Sequence, residues 1–265
     1  MMRTLFLLTA GAGLALAQPP TVTNGGVVNG ASFAQGQPIT PGSLISIFGT
    51  NLAASTAQAD SIPLSTQLGG VTVQFIHAGQ TLNAPMLFVD GTQLNVQVPW
   101  ELLPDGVAAS VGMIVTSNSV SAAKVQVSAA PFSPGIFASN GLAIAVNNSD
   151  GTLAWPAGVV PGLTTHPAKP GDALIVYATG LGQLDNTPAD GANSLDKLRN
   201  TLVKPIVMVG GVTAEVLFSG LSPQFVGVNQ VNIVVPNVPA GASVPIQMQI
   251  GGMTSQSNVT IAITQ

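Results

Sequence analysis

The amino-acid sequence predicts an all-β protein made of two tandem β-sandwich domains. Three observations carry that prediction. Apolar and polar residues alternate at a period of two over short segments, Gly, Pro and Asn separate those segments, and the order of motifs in the first half recurs in the second. Alternation of this kind turns side chains to opposite faces of a half-buried strand, whereas an amphipathic helix repeats about every 3.6 residues. Composition agrees, since charged residues make up 6% of the chain against about 25% in an average globular protein. Long charged helices have little to form from.

In chain order, residues 1–17 come first and read as a secretory signal: Arg3, an apolar run from Leu5 to Leu16, then Ala15-Leu16-Ala17 before Gln18. The small-x-small ending suits signal peptidase, and the run is shorter than the ~20 residues of a spanning helix. A mature chain exported to the periplasm, cell surface or medium is therefore expected, with no transmembrane segment after signal removal. Residues 18–130 form the first expected domain and 131–265 the second. They are linked by Pro131-Phe132-Ser133-Pro134-Gly135, which resists both helix and central strand.

The repeat organises both halves. Pro41-Gly42-Ser43-Leu44-Ile45-Ser46-Ile47-Phe48 matches Pro170-Gly171-Asp172-Ala173-Leu174-Ile175-Val176-Tyr177 at an offset of 129 residues, and Gln93-Leu94-Asn95-Val96-Gln97-Val98-Pro99 matches Gln230-Val231-Asn232-Ile233-Val234-Val235-Pro236 at 137. A drifting offset with conserved order marks loop insertions between fixed strands of a duplicated unit. Val71, Val73 and Phe75 predict a strand that turns at Ala78-Gly79 into a second from Leu82 to Val89. Ile206–Val209, Gly210-Gly211 and Val212–Phe218 predict the same hairpin in the second half, because glycine supplies the positive φ of a tight turn. Segments 111–116, 124–127, 244–250 and 259–263 complete the two sets, and 143–155 predicts one more hairpin. The stretch 195–202, with Asp196, Lys197 and Arg199, predicts a charged surface loop with one helical turn.

Composition also excludes function classes. The net charge of −4 is spread without a basic cluster, so the counterion release that drives nucleic-acid binding is missing. Cysteine is absent, which removes thiol catalysis, thiolate metal sites and disulfides. Domains of this size stand on a hydrophobic core alone. No cofactor motif is present, and none is expected.

Each half thus runs Pro-Gly-x-x-Ile/Leu-x-Ile/Val, a hairpin, and a strand closed by Val-Pro. This resembles the IPT/TIG type of immunoglobulin-like domain. More closely, Leu68-Gly69-Gly70-Val71, the 93–100 segment QLNVQVPW, Pro134-Gly135-Ile136-Phe137, the 177–182 segment YATGLG and residues 218–236 resemble the Solibacter-type uncharacterised C-terminal domain of secreted acidobacterial proteins, over roughly 24–265. The resemblance implies tandem immunoglobulin-like sandwiches in an exported setting and carries no catalytic residues.

Candidate sites are few. A hydrolytic triad needs a base held against a nucleophile and oriented by a third group, and the only histidines, His77 and His166, fall in different repeats. Glu101 with Asp105, and Asp185 with Asp190, could pair as glycosidase carboxylates but read more simply as turn residues. The oxygen-rich stretch Asp185–Asp190 is a weak calcium candidate without the spacing of an EF-hand. Trp100 and Trp155 are candidate sugar-stacking residues, or structural caps on the sandwich or the domain interface. The row Gln93, Asn95 and Gln97 is a candidate ladder for a ligand or the other domain. The expected function is a non-enzymatic extracellular binding or structural module whose partner is a protein or polysaccharide. A carbohydrate-binding module is the alternative, and an unrecognised hydrolase the more distant one.

Overall fold

A computed structural model describes residues 18–265, so the expected signal segment lies outside the described residues. The chain is all-β. Among the described residues its single helical element is a 3-10 turn at Trp100–Leu102, and no helix is long and apolar enough to cross a membrane.

The first half contains β1 (Thr21–Asn29), β2 (Leu44–Thr50), β3 (Ala57–Gln58), β4 (Val71–His77), β5 (Gln80–Asn83), β6 (Met86–Val89), β7 (Gln93–Gln97), β8 (Ala109–Ser117), β9 (Val120–Ser121) and β10 (Val125–Ala129). One antiparallel sheet runs β1-β2-β7-β6-β3, and a second runs β10-β8-β4-β5 with β9 on β8. Period-two patterning explains the pairing of layers. Val71, Val73 and Phe75 of β4 are fully buried and share one core with Ile45, Ile47, Leu94, Val96 and Met113. Each such side chain contributes roughly 1.5–3 kcal/mol by leaving water. The β4–β5 turn places Ala78 at φ 49 and Gly79 at φ 76, the doubly left-handed geometry of a type I′ hairpin.

The second half contains β11 (Gly135–Ile136), β12 (Ala138–Ser139), β13 (Leu142–Ala143), β14 (Ala145–Asn147), β15 (Ala173–Thr179), β16 (Ile206–Val209), β17 (Val212–Leu221), β18 (Asn229–Val234), β19 (Gly241–Ile250), β20 (Met253–Thr254) and β21 (Thr260–Ile263). Here hydrogen bonding runs unbroken through β11-β15-β18-β17-β16-β19-β21-β13-β12. The cause is β17. Its first residues pair with β16, and Glu215 to Leu221 pair with β18, so one strand passes between the layers. In the first half the same path is cut at Ala84-Pro85, which separates β5 on β4 from β6 on β7. The expected single strand from Leu82 to Val89 is therefore two strands, because Pro85 has no N–H to donate. A separate core from Ile136 to Ile263 fills this half.

Of two further expectations, one holds and one changes. The predicted hairpin over 143–155 forms: Val146 bridges Leu153 antiparallel, Asn147 N–H donates to the Thr152 carbonyl at 2.7 Å and Ala154 N–H to the Ala145 carbonyl at 2.8 Å, while β14 also pairs with β15. Asn147 fixes its turn: its buried Nδ2 donates to Thr152 Oγ1 at 3.2 Å and to the His166 carbonyl at 2.8 Å, which ties the turn to a later loop. The 195–202 stretch has no helical turn. It is organised instead around the buried Arg199, whose guanidinium donates to Ser194 Oγ at 3.0 Å and to both Asp196 oxygens at 2.6 and 3.0 Å.

Candidate functional site

The candidate residues fall in two places, the junction between the halves and the outer sheet face of the first half. At the junction, Asn29 Nδ2 donates to the Ser133 carbonyl at 2.8 Å, and Thr179 Oγ1 accepts from the Leu44 N–H at 3.0 Å while donating to the Gly227 carbonyl at 2.8 Å. The 190–191 segment of the second half lies against β7 and the turn after it. Gly191 N–H donates to Gln97 Oε1 at 2.7 Å, Leu64 N–H donates to the Gly191 carbonyl at 2.9 Å, and Trp100 N–H donates to Asp190 Oδ1 at 3.0 Å. A buried polar group without a partner costs about 1–3 kcal/mol, so these bonds make separation of the halves costly.

The candidate row on β7 is consequently divided. Gln97 is fully buried and committed to the junction. Gln93 and Asn95 are half-buried on the outer face, where Gln93 Nε2 and Ser46 Oγ donate to Asn95 Oδ1 at 2.8 and 2.9 Å. That arrangement leaves the Asn95 Nδ2 donor and the Gln93 Oε1 acceptor without a protein partner among the described residues. Gln230 and Asn232 make the same pair on β18, with Nε2 to Oδ1 at 3.0 Å. The internal repeat already aligns them with Gln93 and Asn95, and that signal could have added them to the candidates.

Neither tryptophan offers a stacking face. Trp100 is 6% exposed and packs with Leu184 and Leu221 of the second half, its ring lying over Gly42; its Nε1 is buried without a partner among the described residues. Trp155 is 4% exposed and donates Nε1 to the Ala143 carbonyl at 2.6 Å. Sugar stacking needs an open ring face, so both are corrected to structural residues.

The acidic candidates also separate. Asp185 accepts from Asn200 N–H at 3.0 Å and Asn200 Nδ2 at 2.7 Å, and these bonds hold its carboxyl below the usual carboxylate range. Asp190 faces the junction, where burial and then the neighbouring Glu101 push it up to about 6. The two carboxylates serve different contacts, and among the described residues no cluster of three His or acidic groups is placed to hold a metal ion. His77 ends β4, and His166 lies 3.6 Å from Asp150 on the surface of the second half. Asp105 accepts from its own loop at Val107 N–H, 3.0 Å.

No family model matches the chain, and no curated protein does. Among solved structures it is similar to the extracellular region of a plexin, at 13% identity and a TM-score of 0.31 over 96% of this chain and 19% of that one. It is also similar to SGBP-B from a xyloglucan utilization locus in Bacteroides uniformis, at 12% identity and a TM-score of 0.27 over 92% of this chain and 50% of that one. A tandem pair of titin immunoglobulin domains matches at 13% identity and a TM-score of 0.23, over 86% and 91%. The chain thus spans half or less of the first two proteins. What defines its fold is its own strand order.

Proposed function

We propose that the chain is an exported, non-enzymatic binding or structural module in which two immunoglobulin-like sandwiches, residues 18–130 and 131–265, act as one body toward an extracellular partner. The reading places it among IPT/TIG-like domains of the Solibacter-type family and takes residues 1–17 as its signal. One observation carries it: Gln97, Asp190 and the Trp100 backbone are spent on the junction, while Gln93 and Asn95 keep an unspent donor and acceptor on an outer sheet face. Groups held rigidly on a scaffold and left open are suited to recognition. The partner is an extracellular protein or a polysaccharide. The carbohydrate-binding reading is favoured by the character of that face, where the open polar groups are uncharged amides.

The mature chain should bind an extracellular component without turning it over. Incubation with ester and glycoside panels, alongside retention on insoluble polysaccharides and isolated envelope proteins, tests this. Turnover that disappears with His77→Ala or Asp185→Asn would overturn the non-enzymatic reading.

A further inference from the structure

The outer sheet faces of the two halves carry the same chemistry twice. In the first, Phe48 stands opposite Gln93 and Phe88 opposite Asn95. In the second, Tyr177 stands opposite Gln230 and Phe218 opposite Asn232. A further ring leans on each first aromatic: Phe33 on Phe48 at a centroid distance of 6.3 Å, and Phe225 on Tyr177 at 6.1 Å. Phe88 and Phe218 each follow a register shift, between Met86 and Phe88 and between Val216 and Phe218. A bulge re-aims the side chains beside it, and both bulges bring a phenylalanine opposite the asparagine of the amide pair.

Core packing does not call for this arrangement. These rings lie on the side of the sheet away from the core, and Phe33 and Phe225 are 52% and 51% exposed. An amide pair with one free donor and one free acceptor beside half-open rings matches a ligand with vicinal hydroxyls on its edges and C–H groups on its faces, which describes a pyranose. None of these side chains is charged. Charge on these faces is acidic, with Asp90 beside Gln93 and Glu215 opposite Val234, while Asp60 and Lys197 line the adjoining grooves, so the faces offer little to an anionic polymer.

The two faces are also connected. A groove of about 630 Å³ at the junction is lined by Leu44 and Leu87 from the first face and by Phe225, Val228 and Ile62. Leu44 lies two residues before Ser46, Leu87 adjoins Phe88, and Phe225 is the ring on Tyr177. A second groove of about 500 Å³ runs beside Gln230, Asn232 and Phe218 under the exposed Leu195 and Leu198. We infer that the duplicated aromatic–amide faces are two subsites for one uncharged polysaccharide chain that crosses the junction groove. This rests on the carbohydrate-binding reading above.

The test is calorimetric titration of the mature chain with soluble neutral β-glucan, galactomannan and arabinoxylan, with their oligosaccharides of increasing length, and with anionic alginate. One neutral polymer should bind. Oligosaccharides long enough to reach both subsites should bind at least about tenfold more tightly than short ones, because the second contact becomes intramolecular. Asn95→Asp and Asn232→Asp keep shape and the bond accepted from the neighbouring Gln but replace the free donor. Each should weaken binding about tenfold, the equivalent of one well-placed hydrogen bond, with melting temperature unchanged; Gln93→Ala and Gln230→Ala should do the same. Neutral-glycan binding indifferent to all four variants, or binding of alginate alone, overturns the inference. If no glycan binds while an envelope protein is retained, the polysaccharide inference fails and the binding-module reading survives.

Discussion

Thr179→Val removes one oxygen from the junction and nothing else. Thr179 is fully buried, and its hydroxyl links the Leu44 N–H of the first half to the Gly227 carbonyl of the second. Valine fills nearly the same space but offers neither acceptor nor donor. The Gly227 carbonyl is left buried without this partner, and Leu44, on a half-buried strand start, recovers part of its loss from water. At about 1–3 kcal/mol for each unsatisfied group, the substitution should destabilise by about 2–4 kcal/mol. Urea unfolding of residues 18–265, followed by tryptophan fluorescence, reads the loss. Amide hydrogen exchange at Leu44 should accelerate, and Thr179→Ser should recover most of the stability because it retains the hydroxyl. A loss under about 0.5 kcal/mol, or unchanged exchange at Leu44, would refute the junction as described.

Other perturbations have defined outcomes. Asp190 is held up to about 6 by burial and then by Glu101, so between roughly pH 4 and 6 the native state keeps a proton that the unfolded chain has released. Stability should therefore fall as pH rises through that window, and Asp190→Asn should flatten the dependence and stabilise at pH 7 by about 1 kcal/mol after allowance for solvent screening. Melting curves of both proteins from pH 4 to 7 check this, and parallel profiles would count against it. Trp155→Phe loses the bond to the Ala143 carbonyl and should lower stability by about 1–3 kcal/mol while leaving glycan retention unchanged. Arg199→Ala removes the buried guanidinium that holds Ser194 and Asp196. Limited proteolysis should then cut within 195–202, and glycan affinity should drop as Leu195 and Leu198 lose their support.

The strands were legible because period two is a local property. Val71-Thr72-Val73-Gln74-Phe75 alternates in the chain and in burial alike, and the turns at Ala78-Gly79 and Gly210-Gly211 announce their own backbone. The repeat was legible too, and aligning Phe48 with Tyr177 already pairs the two faces. What stayed hidden depends on distant segments. Gln93, Asn95 and Gln97 share one side of β7, and only the approach of Gly191 separates Gln97 from the others. For Trp100 the packed reading was the stronger one from its place after Pro99, but that Leu184 and Leu221 close over it depends on the second half. The expected strand ran through Pro85, where the chain instead divides into β5 on β4 and β6 on β7, whereas β17 continues through its bulge at Val216 and Phe218.

The most direct measurement is the side-chain amide spectrum of residues 18–265, recorded by NMR during titration in turn with neutral β-glucan, galactomannan and arabinoxylan, one of which should bind. The Asn95 and Asn232 NH2 resonances should shift together and saturate at the same ligand concentration, while the buried Gln97 NH2 stays in place. Unmoved Asn95 and Asn232 resonances at saturation would contradict the account.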